Sequence, residues 1–314
     1  MVTRLLDWRD IPALLRYRKD CVYLNSAWLL TRGQLSFPSA MFSSLSLSNG
    51  VFTAISLPEN GDNIPLIGQV MQTPVLHLAQ LTFLMPEKAI NRPLLNPLLE
   101  HLSAQLIERG ILRILADIDE EAATYEILRQ AGYAVYSRQR IWEIKSEEIQ
   151  NNSSGAWQMA EDQDVIAIRS LYHNIVPPLV QQVESFPTDH TIGMVYKEKG
   201  EILGYIEPSY GYRGIWIQPL IHPDLEDLHQ VLKEMISGLP YRLSRPVFIC
   251  VRSYQSWLEP ILEDFGAEAG PRQAVMVKHL AVAKRVVPAI TIPTLDGGRA
   301  EISVPFVHSE KHNL

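Results

Sequence analysis

Lys88 and Arg92 are the cations of a short loop, Met85-Pro86-Glu87-Lys88-Ala89-Ile90-Asn91-Arg92-Pro93, that leads from an apolar run toward a leucine-rich helix. Side chains of this kind beside a helix start can meet a phosphate, where the helix dipole favours an anion; equally they suit a solvated loop. His222, Asp224 and His229 are the nearest approach to a metal set. Two histidines seven residues apart across a helix start make a poor chelate, and Asp224 serves better as a cap, so no metal is expected. Tyr205, Tyr210, Tyr212 and Trp216 form an aromatic run that can line a cleft for a small apolar ligand or simply furnish a sheet face. No Ser-His-Asp arrangement follows from spacing. Cys21 and Cys250 have no CxxC partner and read as buried thiols in a reducing compartment.

The elements that must position these residues occur twice. Ile127-Leu128-Arg129-Gln130-Ala131-Gly132-Tyr133 is echoed by Ile261-Leu262-Glu263-Asp264-Phe265-Gly266-Ala267, and each is followed in register by Arg138-Gln139 or Arg272-Gln273. Asp10-Ile11-Pro12-Ala13-Leu14 matches Asp164-Val165-Ile166-Ala167-Ile168, and Leu66 to Val70 matches Ile202 to Ile206. Three echoes in one order point to duplication of a whole domain. The offset falls from 154 residues at the first echo to 134 at the last, so the first copy is the longer.

In the first copy the pattern predicts a strand near Thr3–Leu6, then a helix capped by Asp10 with Ile11, Leu14, Leu15 and Val22 on one side. Strands follow near 51–55, 66–71 and 75–84, with turns at 48–50 and 59–62. Asn96 and Pro97 suit the start of a helix carrying Leu98, Leu99, Leu102 and Leu106. A strand over 111–115, a helix over 125–130 and a strand over 136–144 complete the copy. The second copy repeats this: a helix from Asp164, a hairpin around Lys199-Gly200, a strand over 214–220, a helix over 224–237, a strand over 247–251 and a helix before Gly266. The expected organisation is two domains, 1–147 and 156–282, joined by a polar linker at 148–155 and followed by a Pro- and Gly-containing tail at 283–314.

Composition narrows the class. With 46% apolar and 20% charged residues, the chain reads as a soluble globular protein. A formal net charge of −7 argues against nonspecific nucleic-acid binding. No apolar run approaches the ~18 residues of a membrane span, and charges interrupt the N-terminal apolar residues, so neither membrane nor signal peptide is expected. A cytoplasmic location follows by default.

The order of elements resembles the GNAT family of acyl-CoA N-acyltransferases. Glu198 to Ile206 is similar to that family's second-to-third strand hairpin, Ile217 to Pro223 to its fourth strand and cofactor loop, and Gly132-Tyr133 and Gly266-Ala267 to its Gly-aromatic pair. The resemblance implies an α/β fold of two tandem domains, each a mostly antiparallel twisted sheet flanked by helices. It also implies that the last strand of one copy can be donated to the other's sheet. In activity it implies acetyl or other acyl transfer from acyl-CoA to an amine of a small molecule or peptide.

The family's Gln/Arg-x-x-Gly-x-Gly/Ala cofactor signature is absent from both copies. In the first, Leu84, Met85, Lys88 and Arg92 are the residues the resemblance assigns to the cofactor, with backbone N–H groups of Thr82 to Met85 supporting the oxyanion. In the second, Asp224, Glu226 and Asp227 occupy the corresponding turn and repel a pyrophosphate. The family's catalytic tyrosine position holds Leu128 and Leu262; Tyr125, one turn earlier, is the candidate general acid, or packs with its hydroxyl on the rim. Asp117, Asp119, Glu120 and Glu121 can deprotonate the amine, or solvate the surface and cap a helix. The competing reading is a noncatalytic binding or scaffold protein that kept the fold and lost the chemistry.

Overall fold

The computed structural model describes residues 2–33, 50–58, 64–73, 77–145, 156–186 and 192–280. The first copy comprises β1 (Val2–Leu5), α1 (Ile11–Tyr17), β2 (Val22–Tyr23), α2 (Ser26–Arg32), β3 (Val51–Leu57), β4 (Leu66–Thr73), β5 (Leu78–Met85), α3 (Arg92–Ile107), β6 (Arg113–Asp119), α4 (Ala123–Gln130) and β7 (Ala134–Ile144). The second comprises β8 (Trp157–Met159), α5 (Val165–Ile175), α6 (Pro178–Val183), β9 (Met194–Glu198), β10 (Glu201–Ile206), β11 (Ser209–Tyr210), β12 (Ile215–Ile217), β13 (Leu220–Ile221), α7 (Leu228–Ser237), β14 (Val247–Arg252), α8 (Glu259–Asp264) and β15 (Glu268–His279). The 59–62 turn, the 148–155 linker and the 283–314 tail lie outside the described residues.

An eleven-stranded sheet runs β1-β3-β4-β5-β6-β15-β7-β14-β12-β11, with β2 against β5; a second sheet runs β13-β10-β9-β8. Pairing is antiparallel except for β5 with β6 and β12 with β14. The copies exchange their last strands. β15 of the second copy lies between β6 and β7, and β7 of the first pairs with β14 of the second. Each donated strand completes the other copy's core. Ala274 and Met276 pack with Leu98, Leu102 and Ile114, while Trp142 and Ile144 pack with Leu232, Ile249 and Leu262.

The duplication is visible as symmetry in this exchange. Gln139 and Gln273, equivalent in the sequence echoes, face one another across the β7–β15 pair, and Gln139 Nε2 donates to Gln273 Oε1 at 2.8 Å. Antiparallel pairing of two equivalent strands at equivalent residues places a local twofold axis between them. Gly132 and Gly266, at φ +92 and +78, turn each copy from its last helix into its exchanged strand; this is the left-handed conformation that glycine enters without steric cost.

Several local starts differ from those expected. α3 begins at Arg92, capped by Asn91, whose side chain accepts from Leu94 N at 3.1 Å; Pro97 sits inside the helix. An internal proline forfeits one helical bond, but Leu94, Leu95, Leu98 and Leu99 are all buried, and their packing extends the helix through it. β6 begins later than 111 and runs to Asp119, so Asp117 and Asp119 belong to the strand instead of following it. Val22 is extended in β2, not on the face of α1. The expected 214–220 strand divides into β12 and β13, which pair with different strands. α7 starts at Leu228 with Asp227 as its cap, leaving Asp224 and Glu226 before the helix.

Asp10 and Asp164 do not cap forward. Each side chain turns back three residues, to Asp7 N at 2.8 Å and Glu161 N at 3.1 Å, and each meets a cation, Arg4 at 2.6 Å or Lys197 at 2.8 Å. Both aspartates are buried. The Lys197 hydrogen bond holds the Asp164 carboxyl below the usual carboxylate range. A depressed folded value means the stabilisation is present above the unfolded carboxylate pKa and is lost as pH falls through the folded one. Asp164→Ala should therefore cost about 1.5–3 kcal/mol at neutral pH. In urea titrations the gap from wild type should close as pH drops below about 4.

Candidate functional site

The site begins where β5 and β6 part. They pair in parallel only from Leu78–Gln80 with Arg113–Leu115, and beyond that the strands diverge. Two diverging strands leave backbone donors and acceptors that something must satisfy. In this chain β2 does so. Val22 and Tyr23 pair with Leu84 and Phe83, Leu24 N donates to Thr82 O at 2.9 Å, and Asp117 N on β6 donates to Leu24 O at 2.9 Å. Gln80 Nε2 adds a bond to Leu24 O at 2.9 Å. Leu24 is fully buried.

The loop after β5 is satisfied in the same inward manner. Glu87 N donates to Asp20 O, Ala89 N to Pro86 O and Ile90 N to Glu87 O, at 2.9–3.2 Å. Leu84 and Met85 are fully buried. Lys88 lies over the Tyr17 ring, 5.8 Å from its centroid, and Arg92 is the exposed first residue of α3.

The second copy diverges likewise after Ile217 and Ile249. Its gap holds a side chain instead of a strand. Gln255, fully buried on the turn after β14, accepts from Ile221 N at 3.0 Å and donates through Nε2 to Pro219 O at 2.8 Å. The acids before α7 are engaged too: Asp227 caps Gln230 N at 3.0 Å, and Glu226 meets Lys199 at 2.5 Å.

Between the long sheet and the second sheet lies a cavity of about 390 Å³ that draws on both copies. The first copy contributes Gln80, Asp117, Tyr136 and Gln139; the second contributes Tyr172, Glu184, Tyr205, Glu207, Trp216 and Arg252. Leu78, Leu115, Leu220 and Val275 supply apolar wall. Arg252 Nη2 donates to Glu184 Oε1 at 2.7 Å, the Tyr136 hydroxyl donates to the same carboxylate oxygen, and the Tyr172 hydroxyl donates to the Glu184 carbonyl. Burial works against the Arg252 charge, but Glu184 and Tyr136 around it outweigh that, and its pKa stays above the ordinary guanidinium value. Burial pushes the Asp117 carboxyl up, against the pull of Arg252 and of a bond from Ser26 N at 3.1 Å. Burial also raises Glu207. Cys250, beside this network, is pushed up to about 12 by burial, and its thiol donates to Gln139 Oε1 at 3.3 Å.

The cavity gathers some of the residues singled out in the sequence and leaves others aside. Asp117, Tyr205 and Trp216 line it. Tyr125 does not; it is half-buried against the first core and borders a shallow surface hollow with Arg129, Tyr133 and Arg138. Asp119 accepts from Glu121 N at 3.0 Å, Glu120 pairs with Arg138 at 2.6 Å, and Glu121 is exposed. Tyr210 and Tyr212 are exposed. His222 accepts from Asp224 N at 3.3 Å, while His229 packs edge-on against Phe265, so the three do not converge. Among the described residues no group of three or more His, Cys, Asp or Glu is placed to hold a metal. Sequence reasoning missed Tyr136, Glu184 and Arg252. A signal existed for Arg252, a charge that ends the apolar run Val247–Val251 and sits where burial is costly unless paired.

No family model and no curated protein matches the sequence. Solved structures do match in fold. A GCN5-related N-acetyltransferase from Sphaerobacter thermophilus superposes with a TM-score of 0.55 at 14% identity, covering 90% of this chain and 96% of that one. A tandem GNAT protein from the clavulanic acid biosynthesis pathway gives a TM-score of 0.51 at 11% identity, covering 90% and 99%. The fold is that of a tandem GNAT protein. Within that GNAT fold, the diverging β5–β6 pair is the place where the resemblance expected the acyl thioester. No described helix is long and apolar enough to cross a membrane.

Proposed function

We propose that this tandem GNAT-fold chain is a small-molecule-binding protein whose ligand sits in the cavity between the two copies, and that acyl-CoA transfer is not its chemistry. The observation that carries this reading is the segment Val22–Leu24, hydrogen-bonded to both diverging strands, β5 and β6. Of the Thr82–Met85 backbone expected to support an oxyanion, Thr82 to Leu84 is paired with that segment, so a thioester arm would have to displace a hydrogen-bonded, buried stretch of chain. The inward bonding of Glu87, Ala89 and Ile90 leaves those N–H groups without the outward cradle a pyrophosphate needs. Gln255 supports the same reading for the second copy, and three acids precede its helix. The copies, 1–147 and 156–282, act in this proposal as one binding unit, because each supplies part of the cavity wall.

Millimolar acetyl-CoA should leave the melting temperature of the full chain unchanged. A ligand present at 100 times its dissociation constant stabilises the native state by about 2.7 kcal/mol, which a thermal melt registers readily. A clear upward shift that disappears in Lys88→Ala/Arg92→Ala would restore the acyltransferase reading, with the first copy holding the cofactor.

A further inference from the structure

The two exchanged strands carry the same irregularity. β7 has an extra residue, Tyr136, between Ser137, opposite Val275, and Val135, opposite Met276. β15 has one, Gly270, between Pro271 and Ala269, which lies opposite Trp142. Each stands four residues after the turning glycine of its copy, Gly132 or Gly266, so the local twofold axis relates the two. A bulge re-aims the side chain it carries. The positions around the bulges correspond as well: Leu115 pairs with Val277 near Tyr136, and Phe248 pairs with Glu143 near Gly270. What differs is the filling. The Tyr136 ring is buried in a cluster with Leu115, Val275, Val277 and, from α6, Val180 and Val183. Gly270 has no ring to give.

Beside Gly270 lies a hollow of about 260 Å³, walled by Leu29 and Leu30 of α2, Ile141, Phe248 and Pro271. An apolar cavity of about 150 Å³ already holds a benzene ring, so the hollow has room for one. No described residue lines both this hollow and the cavity between the sheets. Glu143 stands in its wall, where the equivalent position of the other half holds Val277. Glu143 is half-buried, and among the described residues it has neither a hydrogen bond nor an ion pair. Its cross-strand neighbour Glu268 is engaged by Lys145. A carboxylate in an apolar wall calls for a donor. In the filled half the Tyr136 hydroxyl donates to a carboxylate, that of Glu184.

We infer that the hollow beside Gly270 is a binding site for a monocyclic phenol, which supplies the ring and hydroxyl that Tyr136 supplies in the other half. Its ring lies against Phe248, Ile141 and the leucines of α2, and its hydroxyl donates to Glu143, a charge-assisted bond. One molecule binds per chain, because the Tyr136 half is already filled. This site is separate from the cavity between the sheets and goes beyond the function proposed for that cavity.

Calorimetric titration of the full chain with phenol, anisole and benzoate tests it, since the three share a ring and differ in what the substituent offers Glu143. Phenol is expected to bind about fivefold more tightly than anisole, whose oxygen has no hydrogen to donate, and benzoate not at all. Glu143→Val installs the residue type of the equivalent position and should bring phenol down to the affinity of anisole. Gly270→Tyr should abolish phenol binding, because the chain then fills the hollow itself. A Cβ there would lie 3.1 Å from the Ile141 carbonyl oxygen, a contact that a small shift relieves. Circular dichroism checks that this variant is folded, and Glu143→Val decides the matter where it is not. Absence of phenol binding at millimolar concentration, equal binding of phenol and anisole by the wild type, or a phenol preference kept in Glu143→Val would overturn the inference. Phenol bound by folded Gly270→Tyr with wild-type affinity would overturn it as well and move the site elsewhere. The acetyl-CoA melt bears on the proposed function alone, so the two can fail separately.

Discussion

Arg252→Met should lower the melting temperature by roughly 10 °C. The guanidinium is buried, and Glu184, its one hydrogen-bonded partner among the described residues, also accepts from Tyr136. Removing the arginine leaves Glu184 and Asp117 in a low-dielectric wall with no cation among the described lining residues. Breaking a buried pair from one side costs about 3–5 kcal/mol, and a chain of this size moves about 2–4 °C per kcal/mol. The double variant Arg252→Met/Glu184→Gln should recover most of the loss, because the carboxylate that was left unpaired is then neutral. Thermal melts of the wild type, both single variants and the double variant form a complete cycle. An Arg252→Met melt within 2 °C of wild type would mean that water or Asp117 rearrangement already serves this charge, and the network would lose its structural role.

Gln255→Leu should cost about 2–6 kcal/mol, since it orphans one donor and one acceptor at about 1–3 kcal/mol each. Ile221 N and Pro219 O lie in the gap where β13 has left β14 for β10, and Gln255 is the side chain that bonds both. Leucine is no smaller than glutamine, so the loss is not that of a cavity. Urea titration at constant m-value would measure it. A cost below about 1 kcal/mol would indicate that the two strands close the gap themselves once the amide is gone, leaving the splay of the second copy as a soft feature and not a fixed one. The equivalent gap of the first copy is filled by a strand, so the two copies reached the same satisfied state by different means.

The element order and the duplication were legible because both are written locally. The echoes at 127–133 and 261–267 predicted two helices closed by glycine turns, and α4 and α8 have that form; the strands that follow them, β7 and β15, are related by the local axis at Gln139 and Gln273. Periodicity fixes which face of a segment is apolar, and glycine fixes where the chain can turn, without reference to anything distant. Even locally the Asn96-Pro97 signal misplaced one helix start: the helix begins at Arg92, capped by Asn91, and packing of Leu94 and Leu95 rewards the longer helix.

What only the tertiary structure decided is which segments meet. Val22 carries the same apolar signal on a helix face as in a strand, and its place beside Leu84 depends on a gap that β5 and β6 create some sixty residues later. Asp117 reads as a surface acid until β6 is found to face the cavity, and Arg252 and Glu184 acquire meaning only as partners brought together across 68 positions of chain. Burial and pairing of charges are properties of the assembled enclosure. The sequence by itself determined the doubled GNAT-like plan and its turns; the filling of both gaps and the acidic, aromatic cavity came from non-local contacts, whose energies no single segment contains.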